Sequence, residues 1–403
     1  MNSVDKKYAK LIMVTGANNN KYYEMIYEGG PTFTINYGRI DSTKTTLHKP
    51  ISKWKNIYNE KIDKGYTDVT ALVSVKVEEK TDKSTDSYLR IEDNQIDNFI
   101  TLMRNYTNDL VKKTYSVKCD KVSQKQIDEA QKILDDLSKI DRKNEKAIND
   151  KLIELYTIIP RYMSNVRHNI LPNINLDKTL VQEQDNIDAI SSQVSMFQDT
   201  KKDEDKKENK EQQTFLEALG IKLKKCDHTK EKEIQYIINQ LNTSRRKRIE
   251  SVYAVEKAWE DNRFTNWIDK QNNKQTRYLI HGTRCTSVIP ILREGLKIRP
   301  AGNFQFSGKA YGEGNYFSEV TDKSLNYTGY DKDTILLIYE VHTGNPYIYN
   351  GWYRGNSFTL NYKNLSERGF DSTHVNAGNG LLNSEIIAYH EHQNRIKYII
   401  HLK

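Results

Sequence analysis

The chain has 403 residues, 36% of them hydrophobic and 29% charged, with a formal net charge of +8. That length exceeds one ordinary domain, so two or three are expected, and 26 Tyr, 10 Phe and 4 Trp supply the aromatic surface for folded cores and exclude a disordered polyelectrolyte. Three widely spaced cysteines, Cys119, Cys226 and Cys285, exclude a disulfide framework and a cysteine-built zinc finger, while the lack of any apolar run near about 18 residues and of a signal-type N-terminus predicts an intracellular, reducing compartment.

From residue 8 to about residue 92 the chain reads as short β-runs: KLIMV, KYYEMIYE, TFTINYGRI, VSVKVEE and SYLRIE, punctuated by NNN and GGP. Alternation and turn residues of this kind predict a small antiparallel sheet. Ile51, Trp54, Ile57 and Tyr58, spaced i, i+3, i+6 and i+7, predict one helix packed on it. Around this region Arg39, Lys44, Lys49, Lys53, Lys55, Lys61 and Lys64 outnumber Asp41, Glu60 and Asp63, a basic face that is either solvated or in contact with phosphates.

Helical spacing takes over from residue 95 to about 198. Ile96, Phe99, Met103, Tyr106 and Leu110 form one stripe, and Ser123-Gln-Lys-Gln126 is a capping-box pattern opening a helix with Ile127, Ala130, Leu134 and Leu137 inward. A third helix carries Ile153, Tyr156 and Ile159 and is expected to stop before Pro160, so the segment predicts a helical bundle. The charged run 199–213, DTKKDEDKKENKEQQ, reads as a solvated linker at a domain boundary. Beyond it, KEIQYIINQL predicts a helix, and strands are expected at Tyr278–Ile280, Ile335–Val341, Ser384–Tyr389 and Arg395–Leu402, the last two as a C-terminal hairpin.

Glycines gather in the last third at Gly302, Gly308, Gly312, Gly314 and Gly329, yet no G-x-G-x-x-G follows a strand and opens a helix, which excludes a Rossmann phosphate loop. Gly312-Glu-Gly314 predicts a tight turn delivering Tyr316 and Phe317 into a strand. Alone, His281 and Tyr327 fit a core as well as a site. Glu385 is different, because an unpaired carboxylate in an apolar strand is costly.

In order and spacing, LIHGTRCTSVIPILREGLKIRP, YGEGNYFSEVTDKSLNYT and LLNSEIIAYHEHQNRIKYIIHLK resemble the catalytic domain of the poly(ADP-ribose) polymerases. Upstream, VSQKQIDEAQKIL and INDKLIELYTIIPRY are similar to the helical regulatory domain of those enzymes, and TFTINYGRI followed by KIDKGY is similar to a WGR domain in which Tyr37 replaces Trp while Gly38 and Arg39 stand. The resemblance implies an α+β multidomain chain: a DNA-sensing WGR-like sheet with a helix over 1–93, an all-α helical bundle over 94–205, and a β-rich ADP-ribosyltransferase fold over 206–403.

It also implies the chemistry and its residues. NAD+ is the substrate, with no metal. His281 corresponds to the histidine holding the adenosine ribose, with Thr283 beside it in the donor site, and Gly282 and Ser324 to the groups that bind the nicotinamide carboxamide. Tyr316 and Tyr327 correspond to the aromatic pair around the nicotinamide ring, and Glu385 to the catalytic glutamate, so that His281, Tyr316 and Glu385 form the catalytic set. Lys297 stands where relatives usually carry Arg beside the donor, keeping the charge without the planar fork. Tyr37 and Arg39 correspond to DNA-contacting residues. Implied partners are DNA with breaks or ends, protein acceptors including the chain itself, and ADP-ribose chains, with no membrane; the implied setting is DNA repair, in the nucleus where a cell has one. Two alternatives stay open: a mono-ADP-ribosyltransferase, and an inactive DNA-end or NAD-binding scaffold.

Overall fold

The structure, a computed structural model, describes residues 7–40, 42–73, 88–205, 213–244, 247–299, 310–351, 360–378 and 380–403. It is α+β, with mostly antiparallel sheets and several helices. Two compact units divide the chain: residues 1–85 with 109–206, and residues 86–108 with 207–403.

In the first unit, β1 (Lys7–Thr15), β2 (Asn19–Tyr27), β3 (Thr32–Arg39), β4 (Thr45–Pro50) and the two-residue β5 (Thr67–Asp68) form an antiparallel sheet of order β4-β3-β2-β1-β5. Alternate residues Ala9, Leu11, Tyr23, Met25, Phe33 and Ile35 point to one face, where Ile51, Trp54, Ile57 and Tyr58 on and before α1 (Trp54–Asp63) cover them. Period-two alternation meeting an i, i+3 stripe is what the sequence predicts here. A short α2 (Thr70–Val73) follows. VSVKVEE lies, from Ser74 on, outside the described residues. SYLRIE, described from Tyr88, is not a strand of this sheet: Leu89 makes one parallel bridge to Thr214, and Asp93 then turns the chain into a helix by accepting from the amides of Gln95 and Ile96.

That helix is α3 (Asn94–Thr114), whose later residues belong to the first unit with α4 (Gln124–Leu137), α5 (Glu145–Ile158) and α6 (Leu176–Asp205). Ser123 and Gln126 close the expected capping box, and Ile127, Ala130, Leu134 and Leu137 are buried. The linker reading of 199–213 needs correction at its start, because α6 continues through Asp205. Lys, Glu and Gln favour helix, so a charged run need not be irregular.

In the second unit, α7 (Phe215–Ala218), β6 (Ile221–Lys225), α8 (Gln235–Ser244), β7 (Ile249–Lys257), α9 (Ala258–Ile268), β8 (Thr276–Thr283), α10 (Cys285–Glu294), β9 (Asn315–Phe317), α11 (Thr321–Leu325), β10 (Thr334–His342), β11 (Pro346–Tyr349), α12 (Tyr362–Ser366), β12 (Ser372–Val375), β13 (Glu385–Ala388) and β14 (Asn394–Leu402) build two sheets, of order β6-β7-β14-β10-β8 and β11-β12-β13-β9. Strand β10 is an interior strand buried on both faces, which explains its unbroken apolar run ILLIY. The early part of α3 packs within this unit: Phe99 stacks on Tyr253 at 4.7 Å, and Tyr106 donates to Asp333, which also lies 2.7 Å from His401 Nε2.

The expected C-terminal hairpin is corrected by this topology. Strands β13 and β14 lie in different sheets, because β13 has both edges taken by β12 and β9 and β14 has both taken by β10 and β7. No edge of either strand remains for the other.

Candidate active site

Strand β8 brings His281 and Gly282 into the five-stranded sheet opposite Leu337 and Leu336 of β10. Just after β9, Ser318 exchanges backbone hydrogen bonds of 2.9 Å with Ile280, which joins the two sheets and carries α11 up against β8. A Cβ on Gly282 would lie 1.9 Å from the Ser324 carbonyl oxygen, so only glycine permits this approach. The Ser324 hydroxyl faces the Ile280 carbonyl at 3.5 Å, and Thr283 is buried opposite Ile335.

Tyr316 is delivered by the predicted glycine turn. Gly312 has φ +93°, and its missing Cβ would collide with the Leu360 carbonyl. The Tyr316 hydroxyl donates to the Gly312 carbonyl and accepts from the Tyr311 amide, each at 2.8 Å, so the ring is fixed at its far end. Burial pushes this phenol well above its ordinary value, keeping it neutral.

His281 Nδ1 lies 3.0 Å from the Tyr316 carbonyl oxygen. A carbonyl can only accept, so Nδ1 carries the proton. Burial pushes the imidazole below its ordinary value, although this hydrogen bond works the other way. In the resulting neutral tautomer Nε2 is the ring's acceptor.

Glu385 opens β13, diagonal to Tyr316 across the β13–β9 pairing. It is buried, and Lys323 of α11 lies 2.8 Å from its carboxylate while also donating to the Asn383 carbonyl at 2.9 Å. Burial pushes the Lys323 ammonium down and Glu385 opposes that shift. The pair resolves the cost that the sequence left open for a carboxylate in an apolar strand. Lys323 lies in the segment YGEGNYFSEVTDKSLNYT, where the sequence alone gives it no role.

Tyr316, Lys323, Asn326, Tyr327 and Glu385 line one cleft of about 260 Å³, closed along another side by Leu381 to Asn383. Tyr327 is 43% exposed, so its ring is not committed to a core. Lys297 does not line this cleft; its ammonium lies 3.0 Å from Glu391. Tyr37 and Arg39 belong to the first unit. There the Tyr37 ring packs 5.7 Å from that of Tyr23, and the Arg39 guanidinium donates to the carbonyls of Asn18, Met163 and Ser164 and to the Asn18 side chain. Among the described residues no group of three His, Cys, Asp or Glu side chains is placed to hold a metal ion, and no helix is long and apolar enough to cross a membrane.

The partly buried Tyr316 and the buried Glu385 thus meet at one open cleft, while His281, hydrogen-bonded to the Tyr316 backbone, is not among the residues that line it. Residues 228–403 match the family model of the poly(ADP-ribose) polymerase catalytic domain. Over 180 residues the chain is 58% identical to a putative poly [ADP-ribose] polymerase-like protein, 100L, of Invertebrate iridescent virus 6, an alignment covering 44% of this chain and 98% of that one. It is 51% identical over 189 residues to the uncharacterized protein 101L of the same virus, covering 46% and 77%, and 26% identical over 314 residues to poly [ADP-ribose] polymerase 1 of Gallus gallus, covering 70% and 30%. The chain belongs to the poly(ADP-ribose) polymerase family, whose catalytic domain transfers ADP-ribose from NAD+.

Proposed function

We propose that this chain is a DNA-dependent ADP-ribosyltransferase that modifies proteins and then elongates poly(ADP-ribose), with 1–93 as the DNA-sensing WGR-like domain, 94–205 as the helical regulatory domain and 206–403 as the catalytic domain. The observation that carries the catalytic part is Glu385, buried, ion-paired with Lys323 and open to the cleft beside Tyr316 and Tyr327. Nicotinamide lies between the two tyrosine rings, its carboxamide on the Gly282 backbone and the Ser324 hydroxyl. The adenosine ribose donates a hydroxyl to His281 Nε2. Thr283 and Lys297 complete the donor site.

Breaking the bond from ribose C1′ to the pyridinium nitrogen returns its electron pair to the ring, so nicotinamide leaves neutral and the ribose becomes oxocarbenium-like. The Glu385 carboxylate stabilises that positive charge. An acceptor oxygen then bonds to C1′ and gives up its proton, for which Glu385 is the placed base. Lys323 orients the carboxylate. Elongation makes the strongest demand on this base, since the acceptor is a weakly acidic ribose hydroxyl.

DNA dependence rests on the WGR resemblance and on the exposed Lys44, Lys49, Lys53 and Lys55 around β4 and α1. Arg39, engaged with backbone carbonyls of its own unit, is a poor single test, because its loss would disturb packing as well as any DNA contact. The discriminating experiment is incubation of the full chain with labelled NAD+, with and without nicked DNA. A DNA-stimulated ladder is expected; a single band would make it a mono-ADP-ribosyltransferase, and a blank would leave an inactive scaffold. Replacing Lys49, Lys53 and Lys55 together by Glu is expected to lower stimulated turnover and spare basal turnover, and equal loss of both would remove the sensing role.

A further inference from the structure

The corner after α10 is held at four consecutive residues from three directions. Gly295 ends the helix at φ +79°, and a Cβ there would lie 3.1 Å from Glu260 and 3.2 Å from Trp259 of α9. The Leu296 carbonyl accepts from the Asn315 side chain at 3.3 Å. Glu391 then takes the next two residues: one carboxylate oxygen lies 3.0 Å from the Lys297 ammonium, and the other accepts from the Ile298 amide at 3.1 Å.

The turn that presents Glu391 is itself fully built. Gln393 accepts from the amides of Tyr389 and His390 at 2.8 Å each and donates to the Asp371 carbonyl at 2.7 Å. His390 Nδ1 accepts from the His392 amide, and the His390 ring stacks on Trp267 at 4.4 Å. Burial works against charge on Glu391, but the Ile298 amide and Lys297 outweigh it and hold the carboxyl below its ordinary range. Lys297 and Glu391 keep 30% and 31% of their side-chain surface, so both stay within reach of a ligand. An ion pair this exposed adds little to stability, which makes fold maintenance a weak reason for so ordered a turn.

The corner is bonded to the strand that forms the site. Asn315, which grips Leu296, immediately precedes Tyr316, whose carbonyl sets the tautomer of His281. We propose that Glu391 is a positioning residue for the dinucleotide donor, fixing the Lys297 ammonium and the 296–298 backbone so that the phosphate-bearing part of NAD+ meets a preformed cation. This rests on the reading of the site as an NAD+ site. A lysine is flexible, and holding it in place beforehand removes an ordering cost from binding. Net charge alone argues in the opposite direction, because a carboxylate beside the lysine repels phosphate. The sign of the effect therefore separates the two.

The test measures nicotinamide release and NAD+ binding by calorimetry for the full chain and for Glu391→Ala, Glu391→Gln and Lys297→Met, with melting temperature as a control. Glu391→Ala is expected to raise KM and Kd for NAD+ about fivefold and leave kcat within about twofold, the pattern of lost donor organisation. Glu391→Gln, which can still accept from the Ile298 amide, is expected to lie between. Combining Glu391→Ala with Lys297→Met is expected to add little to either alone, as for two members of one interaction. Unchanged or lowered KM in both Glu391 variants, full additivity with Lys297→Met, or a fall in kcat at constant KM would each overturn the inference. Failure of the unsubstituted chain to bind NAD+ would overturn it together with the reading of the site.

Discussion

Each unit contains a buried ion pair of almost the same geometry: Arg161 to Glu183 at 2.6 Å and Lys323 to Glu385 at 2.8 Å, every side chain less than a tenth exposed. Their surroundings differ. Arg161 lies over the rings of Tyr156 and Tyr115 at 4.5 and 5.4 Å, and its backbone carbonyl accepts from Asn20 of the sheet, so the pair fastens helices to strands. Lys323 and Glu385 instead form part of the wall of an open cleft. Burial and pairing alone do not mark chemistry; a buried charge that a ligand can still reach does.

The largest effect that could break this contrast is on stability. Replacing Glu183 by Ala leaves the Arg161 guanidinium buried without its carboxylate, and denaturant unfolding is expected to show a loss of about 3 to 5 kcal/mol. Turnover of the molecules that remain folded, in the absence of DNA, should hold. If the variant unfolds at the wild-type denaturant midpoint, the pair is not the fastening it resembles.

Next comes Glu385→Gln, which keeps shape and removes charge. Polymer elongation is expected to fall by more than about 100-fold, as for loss of a general base. Slow nicotinamide release, supported by Tyr316, Tyr327 and His281, should persist, and the melting temperature should move far less than in Glu183→Ala. The comparison is read from polymer length on a gel beside released nicotinamide. Long polymer made by the variant at near wild-type rate would remove Glu385 from the catalytic role.

What the sequence allowed to be read follows the same division. His281, Tyr316 and Glu385 stood out because each sits in a short motif whose order and spacing the strands preserve, and Glu385 because its carboxylate broke an apolar run. Lys323 and Glu391 did not, since their meaning depends on partners 62 and 94 residues away in the chain, Glu385 and Lys297. Strand β4 was missed because its six residues are all exposed: an edge strand pairs through its backbone and needs no alternation of side chains. The hairpin expected at the end was a wrong pairing of two correctly placed strands. Apolar strands announce burial, and which sheet claims their edges is settled only by the other strands present.

The smallest effect concerns His281, a titratable group that its surroundings keep neutral, where the two pairs are charged. Burial sets its folded pKa below the ordinary 6.5, so the unfolded chain takes up a proton more readily than the folded one as pH falls. Its contribution to stability is therefore complete above about pH 6.5 and is lost progressively as pH falls below that value toward the depressed folded pKa. His374, His390 and His392 are shifted in the same direction, so the total slope cannot be assigned to one ring. A difference can. In His281→Gln, whose amide can still donate to the Tyr316 carbonyl, the acid-induced loss as pH falls below about 6.5 is expected to be smaller than in wild type. NAD+ affinity should weaken at every pH, because the Nε2 acceptor has gone. Unfolding curves at several pH values, with NAD+ titrations alongside, give both quantities. Identical pH slopes for the two proteins would mean that His281 is already free to protonate in the folded chain, and that the neutral tautomer assigned from the Tyr316 contact is wrong.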